Sequence, residues 1–358
     1  MSQKSLSNDG VPAFRKELTP EFLAAARIPV QTTLVEALLG ATEQIRDDIL
    51  LPASKNLDAI AVTRKDTGDL RSADAKTFTI ETDRQCEEAM EKALHRSFPD
   101  ALLISEEKFG ACSPEEKRRV LDEALSTDKM VILTDPLDAT RDFRQGGDGY
   151  GTMLAVLRHG EISAAVAHRS TDYANIDGLG HTLTFEEGDG VRIDGKRHKP
   201  LSERVFPTDA VHLRGYAGFE FIDAMKKGGT NGYPDLAGRF DSISDLWTCT
   251  KLYEDLIKGQ YHFMLVPPPT DIFDYPAGLA LVKESGGVAK FLDGTPATFA
   301  EIVKRQAFEG AHDPKSVDNT LVFAVSDEVF RTVQKEIQQV MSPKRPAAGT
   351  KPSFPRAA

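Results

Sequence analysis

The segment Val131-Ile132-Leu133-Thr134-Asp135-Pro136-Leu137-Asp138-Ala139-Thr140 places the strictest condition on how this chain folds. An apolar run that reads as a buried strand ends in two carboxylates three residues apart. Negative charge at such a place is costly unless something positive or a set of donors compensates it. Pro136 stiffens the bend, and the backbone N–H groups of Ala139 and Thr140 can open a turn towards an anion. Carboxylate oxygens, a carbonyl and waters are the donors Mg²⁺ prefers, with a substrate phosphate completing the shell. A purely structural reading stands beside this one: Asp135 as a strand-end turn residue and Asp138 as a helix N-cap.

Two further segments carry carboxylates at element boundaries. Ala101-Leu102-Leu103-Ile104 is a short apolar run that ends in Ser105-Glu106-Glu107. Phe273-Asp274-Tyr275-Pro276-Ala277-Gly278 leads into a helical pattern that closes on Gly286-Gly287. Asp274 there stands near an N-cap, followed by an early proline, with glycines at the C-terminal end. Taken singly, a Glu pair after a strand is solvated and an Asp before a helix is a cap. Three such boundaries in one chain point to a shared site.

These segments resemble the inositol monophosphatase superfamily, the lithium-sensitive, Mg²⁺-dependent phosphatases. Members carry a Glu-Glu pair after a strand, a D-P-[IL]-D-G-T loop, and a late W-D-x-A-A-G…E-[AS]-G-G segment. Here these read SEE (105–107), DPLDAT (135–140) and FDYPAG…KESGG (273–287), in matching order and spacing, over roughly residues 31 to 335. The chain departs from the pattern at Ala139, where members have Gly, and at Phe273, where they have Trp. The family's D-x-V-T-x-x-D becomes Thr77-Phe78-Thr79-Ile80-Glu81-Thr82-Asp83, so Asp83 matches while Thr77 replaces the first acid. Asp74 is the substitute for that acid, ahead of Asp69 and Glu81.

The resemblance implies an α/β fold with an α+β N-terminal half, layered as an α-β-α-β-α sandwich of the inositol monophosphatase and fructose-1,6-bisphosphatase type. It implies hydrolysis of a phosphomonoester with two Mg²⁺, or three, at one site. One ion would be held by Glu106, Asp135 and the Leu137 carbonyl, and a second by Asp135, Asp138 and Asp274. Thr140, Glu106 and Asp74 would form the catalytic group, with Thr140 orienting the attacking water. Backbone N–H groups of Ala139 and Thr140 would bind the phosphate. The expected substrate is a small phosphorylated polyol or sugar, with 3′-phosphoadenosine nucleotides or histidinol phosphate as alternatives. A non-catalytic binding protein on the same fold is the rival reading, and Thr77 and Ala139 are its support. A homodimer is compatible with the resemblance.

Composition agrees with a soluble enzyme. A chain of 358 residues with 40% hydrophobic content can bury a sizeable core. Its formal net charge of −11 argues against a nucleic-acid partner, which would favour a basic face. Cys86, Cys112 and Cys249 are far apart and in no CxxC pattern, which suggests a reducing compartment and no structural zinc. Met1 to Gly10 has no apolar core for a signal peptide, and no run reaches the length of a membrane span. Cytoplasm is the expected location.

The chain divides by pattern into a leader (1–30), an α+β domain with an antiparallel sheet (31–204), an α/β domain (205–341) and a disordered tail (342–358). Helical spacing covers 31–50, and a second helix starts at Thr82 or Asp83 and ends before Pro99. Strands are expected at 101–104, 130–134, 152–158 and 162–168, with hairpin turns at His159-Gly160, Gly188–Gly190 and Asp194-Gly195. Later come a helix over 244–258, a strand over 261–266, the Asp274 helix, strands near 288–292 and 320–325, and a helix capped by Ser326. The glycines at 146, 147, 149 and 151 form no dinucleotide fingerprint and read as a flexible loop. No histidine has metal-ligand spacing, there is no G-x-S-x-G elbow, and the basic run Lys196–Lys199 reads as a solvated hairpin tip.

Overall fold

The computed structural model describes residues 33–57, 62–64, 78–172, 179–228, 235–245, 248–268, 272–308 and 316–341. The expected leader, the tail, Thr77, Asp69 and Asp74 lie outside these described residues. Helix α1 (Leu34–Ile45) buries Leu38, Ala41, Thr42 and Ile45 at helical spacing, then runs on into a π turn at Arg46–Leu50. Strands β1 (Val62–Arg64) and β2 (Phe78–Ile80) pair antiparallel, and α2 (Glu81–Ser97) follows directly.

The larger sheet has seven strands in chain order. They are β3 (Leu102–Ser105), β4 (Val131–Asp138), β5 (Gly151–Arg158), β6 (Glu161–Arg169), β7 (Thr182–Glu186), β8 (Gly190–Ile193) and β9 (Lys196–Arg197). It is antiparallel except for one pair: β3 runs parallel to β4, which corrects the all-antiparallel expectation. Helices α3 (Glu106–Gly110) and α4 (Pro114–Ser126) make the excursion between them. A crossover of that length returns the chain in the same direction, where a tight turn would reverse it. Helix α4 opens with a complete capping box, Ser113 accepting from Glu116 N–H and Glu116 accepting from Ser113 N–H. At the β5–β6 hairpin, His159 and Gly160 both take positive φ, as a tight turn between right-twisted strands requires.

The short helix α5 (Thr140–Arg144) follows β4. The second sheet has the order β11-β10-β12-β14-β13, built from β10 (Arg214–Ala217), β11 (Ser242–Asp245), β12 (Phe263–Val266), β13 (Val288–Phe291) and β14 (Leu321–Ala324). Its first three strands are mutually parallel and its last pairings antiparallel. Helix α6 (Phe219–Lys226) follows β10, α7 (Cys249–Ile257) precedes β12, α8 (Pro276–Glu284) precedes β13, and α9 (Asp327–Met341) ends the description. Both sheets belong to one unit that begins at Leu34.

Period-two alternation decides which way each strand of the large sheet packs. Ile132, Leu154, Val156, Ala164 and Val166 face α1 and α2 in one core cluster. Met153, Ala165, Ala167, Leu183 and Phe185 face the other way, into a core shared with α7, α8 and the five-stranded sheet. Helix α8 packs on both sheets, and α9 lies against β12 and β14. The layers therefore run helix, sheet, helix, sheet, helix. No helix among the described residues is long and apolar enough to cross a membrane.

His168 on β6 is a buried polar exception, 2% exposed, with Nδ1 2.8 Å from Thr182 Oγ1. Burial, helped by Arg46, pushes its pKa down to about 4. The folded chain thus binds fewer protons here than the unfolded chain, whose histidine keeps an ordinary value near 6.5. Stability is lost as pH falls from about 6.5 to about 4, and this one group should remove about 2 kcal/mol between pH 7 and pH 5. Urea unfolding at both pH values, compared between wild type and His168→Gln, measures that share. An identical pH dependence in the two proteins would rule it out.

Candidate active site

Strand β4 supplies the centre of the site, and all eight of its residues are buried. Asp135 and Asp138 are each only 4% exposed. Ser105 pairs with Thr134 in the parallel β3–β4 ladder, so Glu106 leaves β3 at the level of Asp135. Between Asp135 and Asp138 the pairing with β5 shifts register, and Pro136-Leu137 is the bulge. Two bonds hold the bend: Leu137 N–H donates to Asp135 Oδ1 at 3.0 Å, and Thr152 Oγ1 donates to the Pro136 carbonyl at 2.9 Å. Ala139 then takes the left-handed conformation, φ 65°, as the residue before α5. A left-handed L-residue costs roughly 1–2 kcal/mol that glycine would not. A glycine would suit this turn, and the alanine adopts it under strain.

Thr140 Oγ1 lies 2.9 Å from Asp83 Oδ1 and 3.2 Å from the Leu137 carbonyl, so its single proton has two acceptors and the carboxylate is nearer. Asp83 is buried in the first turn of α2. The resemblance gave Thr140 an acidic partner from the segment before α2 and, with Thr77 there, turned to Asp74. The partner seen for the hydroxyl is Asp83, at the start of the helix; Asp74 lies outside the described residues.

Asp138 meets the start of α7. Thr250 N–H donates to Asp138 Oδ2 at 2.9 Å, and Thr248 Oγ1 lies 3.0 Å from the same oxygen. Burial pushes the Asp138 carboxyl above the usual range, and the donors from α7 pull in the opposite direction. Asp274 precedes α8, whose first residue is Pro276, and the Tyr253 hydroxyl donates to the Asp274 carbonyl at 2.8 Å. Phe273 packs edge-on against Phe109 of α3, with centroids 5.4 Å apart, linking the segment of Asp274 to the helix that starts at Glu106. One ligand atom each of Asp138, Asp274 and Cys249 falls within 4.8 Å of the others. Asp135, Glu106 and the Leu137 carbonyl stand outside this trio. A buried carboxylate beside a second carboxylate is a donor set that a divalent cation would satisfy.

Thr248, Cys249 and Thr250 carry no function in the sequence reading, because a helix over 244–258 swallows them. Ser242–Asp245 is instead a strand paired parallel with β10, and Thr248 is the extended N-cap of a shorter helix. The available signal was Thr-Cys-Thr itself, a capping threonine ahead of an apolar helical face.

The glycine loop after α5 is pinned, which corrects the expectation of flexibility. Gly149 N–H donates to Asp142 Oδ2 at 2.6 Å, and the Gly149 carbonyl and Asp138 Oδ2 are both within reach of the single Thr248 hydroxyl proton. A Cβ on Gly147 would lie 2.2 Å from Asp142 Oδ1, and one on Gly151 would lie 2.3 Å from the His168 carbonyl. These glycines are close-approach positions that brace α5 against α7. In the basic run, Arg197 donates to the Asp189 carbonyl and His198 Nε2 lies 2.9 Å from the Ile257 carbonyl, so part of that run is tied into the fold.

Residues 30–322 match the inositol monophosphatase family. The sequence is 26% identical over 225 residues to a fructose-1,6-bisphosphatase/inositol-1-monophosphatase of Thermotoga maritima, covering 62% of this chain and 74% of that protein. It is 30% identical over 119 residues to a histidinol-phosphatase of Chlorobaculum parvum, covering 33% of this chain and 38% of that one. In structure it is similar to the extragenic suppressor protein suhB of Bartonella henselae, with a TM-score of 0.60, 15% identity, and 85% and 98% of the two chains covered. A staphylococcal inositol monophosphatase II bound to inositol monophosphate superposes with a TM-score of 0.57 at 12% identity, over 85% of this chain and 93% of that one. The family match spans both sheets and the three carboxylate-bearing boundaries together: the chain belongs to the inositol monophosphatase family and is a phosphatase.

Proposed function

We propose that this phosphatase is Mg²⁺-dependent and hydrolyses a small phosphorylated polyol or sugar. The observation that carries the reading is the approach of Asp138, at the end of β4, and Asp274, just before α8, to within 4.8 Å of each other. Glu106, Asp135 and the Leu137 carbonyl would hold one Mg²⁺, and Asp135, Asp138 and Asp274 a second, with a third ion left open by Thr77. When bound, such ions polarise the phosphoryl oxygens, lower the pKa of a bound water and stabilise the leaving oxygen.

The chain's own groups do the positioning. Thr140 gives its proton to Asp83, which leaves its oxygen lone pairs to accept a hydrogen bond from the attacking water. Asp83 thereby takes the part that the resemblance gave to the acid replaced by Thr77. The N–H groups of Ala139 and Thr140 are offered to the phosphate at the turn. The α7 donors keep the Asp138 carboxylate aimed, with Oδ2 held by Thr248 and Thr250.

The relatives named for inositol monophosphate and fructose bisphosphate support a polyol or sugar substrate, and the histidinol-phosphatase supports histidinol phosphate as the alternative. Phosphate release over inositol monophosphates, sugar bisphosphates, histidinol phosphate and 3′-phosphoadenosine nucleotides separates them. Turnover should be greatest on the polyol or sugar esters, should vanish on chelation of the metal and should return with millimolar-range Mg²⁺. Metal binding without turnover on any of these esters would favour the non-catalytic reading, which Ala139 supports.

Asp138→Asn should keep the fold, because the amide oxygen still accepts from Thr250, and should lose on the order of a thousandfold in kcat, since several kcal/mol of charge stabilisation depend on the metal. Circular dichroism and a phosphate-release assay test both halves; near-wild-type turnover would remove Asp138 from the metal shell. Thr140→Val and Asp83→Asn should each lower kcat about a hundredfold with little change in KM, the scale of a positioned proton acceptor. If Asp83→Asn leaves kcat intact while Thr140→Val lowers it, the water is oriented without that carboxylate.

A further inference from the structure

The cysteine spacing suggests no structural zinc, yet the fold brings Cys249 into the carboxylate cluster. Its Sγ and one oxygen each of Asp138 and Asp274 lie within 4.8 Å of one another. Cys249 is 5% exposed, is in no disulfide, and is the first residue of α7. Its position is fixed from both sides: Thr248 and Thr250 grip Asp138, and Tyr253, one turn along, donates to the carbonyl of Asp274. The Tyr253 ring packs so closely that a Cβ on Gly278 would fall 1.8 Å from its Cζ. The trio therefore has a rigid floor.

A thiolate is the wrong donor for Mg²⁺, which takes hard oxygen and keeps its waters, but it is a preferred donor for Zn²⁺ and its soft congeners. Two carboxylates and one thiolate make three protein ligands, the number at which a Zn²⁺ site keeps a fourth position open. In tetrahedral coordination neighbouring O and S ligands stand about 3.5 Å apart, and the three ligand atoms lie within 4.8 Å of one another, so binding draws them together.

We propose that Cys249 Sγ, Asp138 and Asp274 form a site for a thiophilic divalent cation of the Zn²⁺ class. This rests on the proposed function in one respect: Asp138 and Asp274 are shared with the Mg²⁺ shell, so the soft cation competes with Mg²⁺ and arrests turnover. On binding, the Cys249 S–H bond breaks, its proton passes to solvent, and the sulfur electron pair forms the bond to the metal. No electron is transferred.

Cd²⁺ is the probe, because cadmium–thiolate bonds give an ultraviolet charge-transfer band that cadmium–carboxylate bonds do not. Metal-stripped full-length protein is titrated with Cd²⁺, with Mg²⁺ absent and present. One Cd²⁺ per chain should raise the band, and added Mg²⁺ should weaken its binding. Cys249→Ser should lose the band and bind at least about a hundredfold more weakly. Asp274→Asn, which leaves the thiol in place, should also weaken it, and Cys112→Ser should not. Circular dichroism verifies that each variant is folded, and Cys249→Ala replaces Cys249→Ser if the serine variant is not.

A band that survives in Cys249→Ser, or no band in the wild type, overturns the proposal. A Cd²⁺ band without any Mg²⁺-dependent phosphatase activity would leave this site standing and sink the proposed function. Mg²⁺-dependent turnover that Cd²⁺ does not inhibit would do the reverse.

Discussion

The grip of the α7 N-terminus on Asp138 is the interaction on which the rest of the site depends. Asp138 ends a strand of the seven-stranded sheet, and α7 feeds β12 of the five-stranded sheet. A buried carboxylate with no partner would be intolerable at this depth, and here the compensation comes from Thr250 N–H and the Thr248 hydroxyl. Donors at a helix start favour negative charge as well as satisfying it. The same contact therefore joins two layers of the sandwich and aims a carboxylate, so structural and chemical roles share one group.

The neighbouring contacts extend this joint. Thr248 also meets the Gly149 carbonyl, whose N–H is taken by Asp142 of α5, so the turn after β4 is tied to α7 through the glycine loop. Glycine is required at 147 and 151 because another side chain or carbonyl already occupies the space of a Cβ. On the opposite side, Phe273 and Phe109 hold the approach to α8 against α3. Glu106, Asp138 and Asp274 thus come from segments tied together by packing. A loop free to move could not keep a charged cluster in register.

Ala139 holds a turn geometry that its own side chain opposes. The backbone keeps a left-handed φ of 65° although an L side chain resists it. The constraint comes from both ends: Asp138 is fixed by β5 and α7, and Thr140 is fixed by Asp83. Strain of this kind persists only where surrounding contacts over-determine the conformation.

Much of this was legible in order along the chain. Alternating apolar positions in β5 and β6, the His159-Gly160 turn, the early proline of α8 and the Ser326 cap of α9 are local signals, and each element formed where its signal lay. The carboxylates at three boundaries, Glu106, Asp138 and Asp274, were likewise visible, because a charge beside a buried run is conspicuous in one dimension. Three things were not. The partner of Thr140 is Asp83, 57 positions away, the donors to Asp138 are 110 and 112 positions away, and the thiol beside it belongs to the same distant helix. Local sequence encodes which groups stand at element ends, since that is a matter of periodicity and capping. Which of those ends meet is decided by how sheets and helices stack, and only the packed layers bring the Cys249 sulfur to within 4.8 Å of two aspartates.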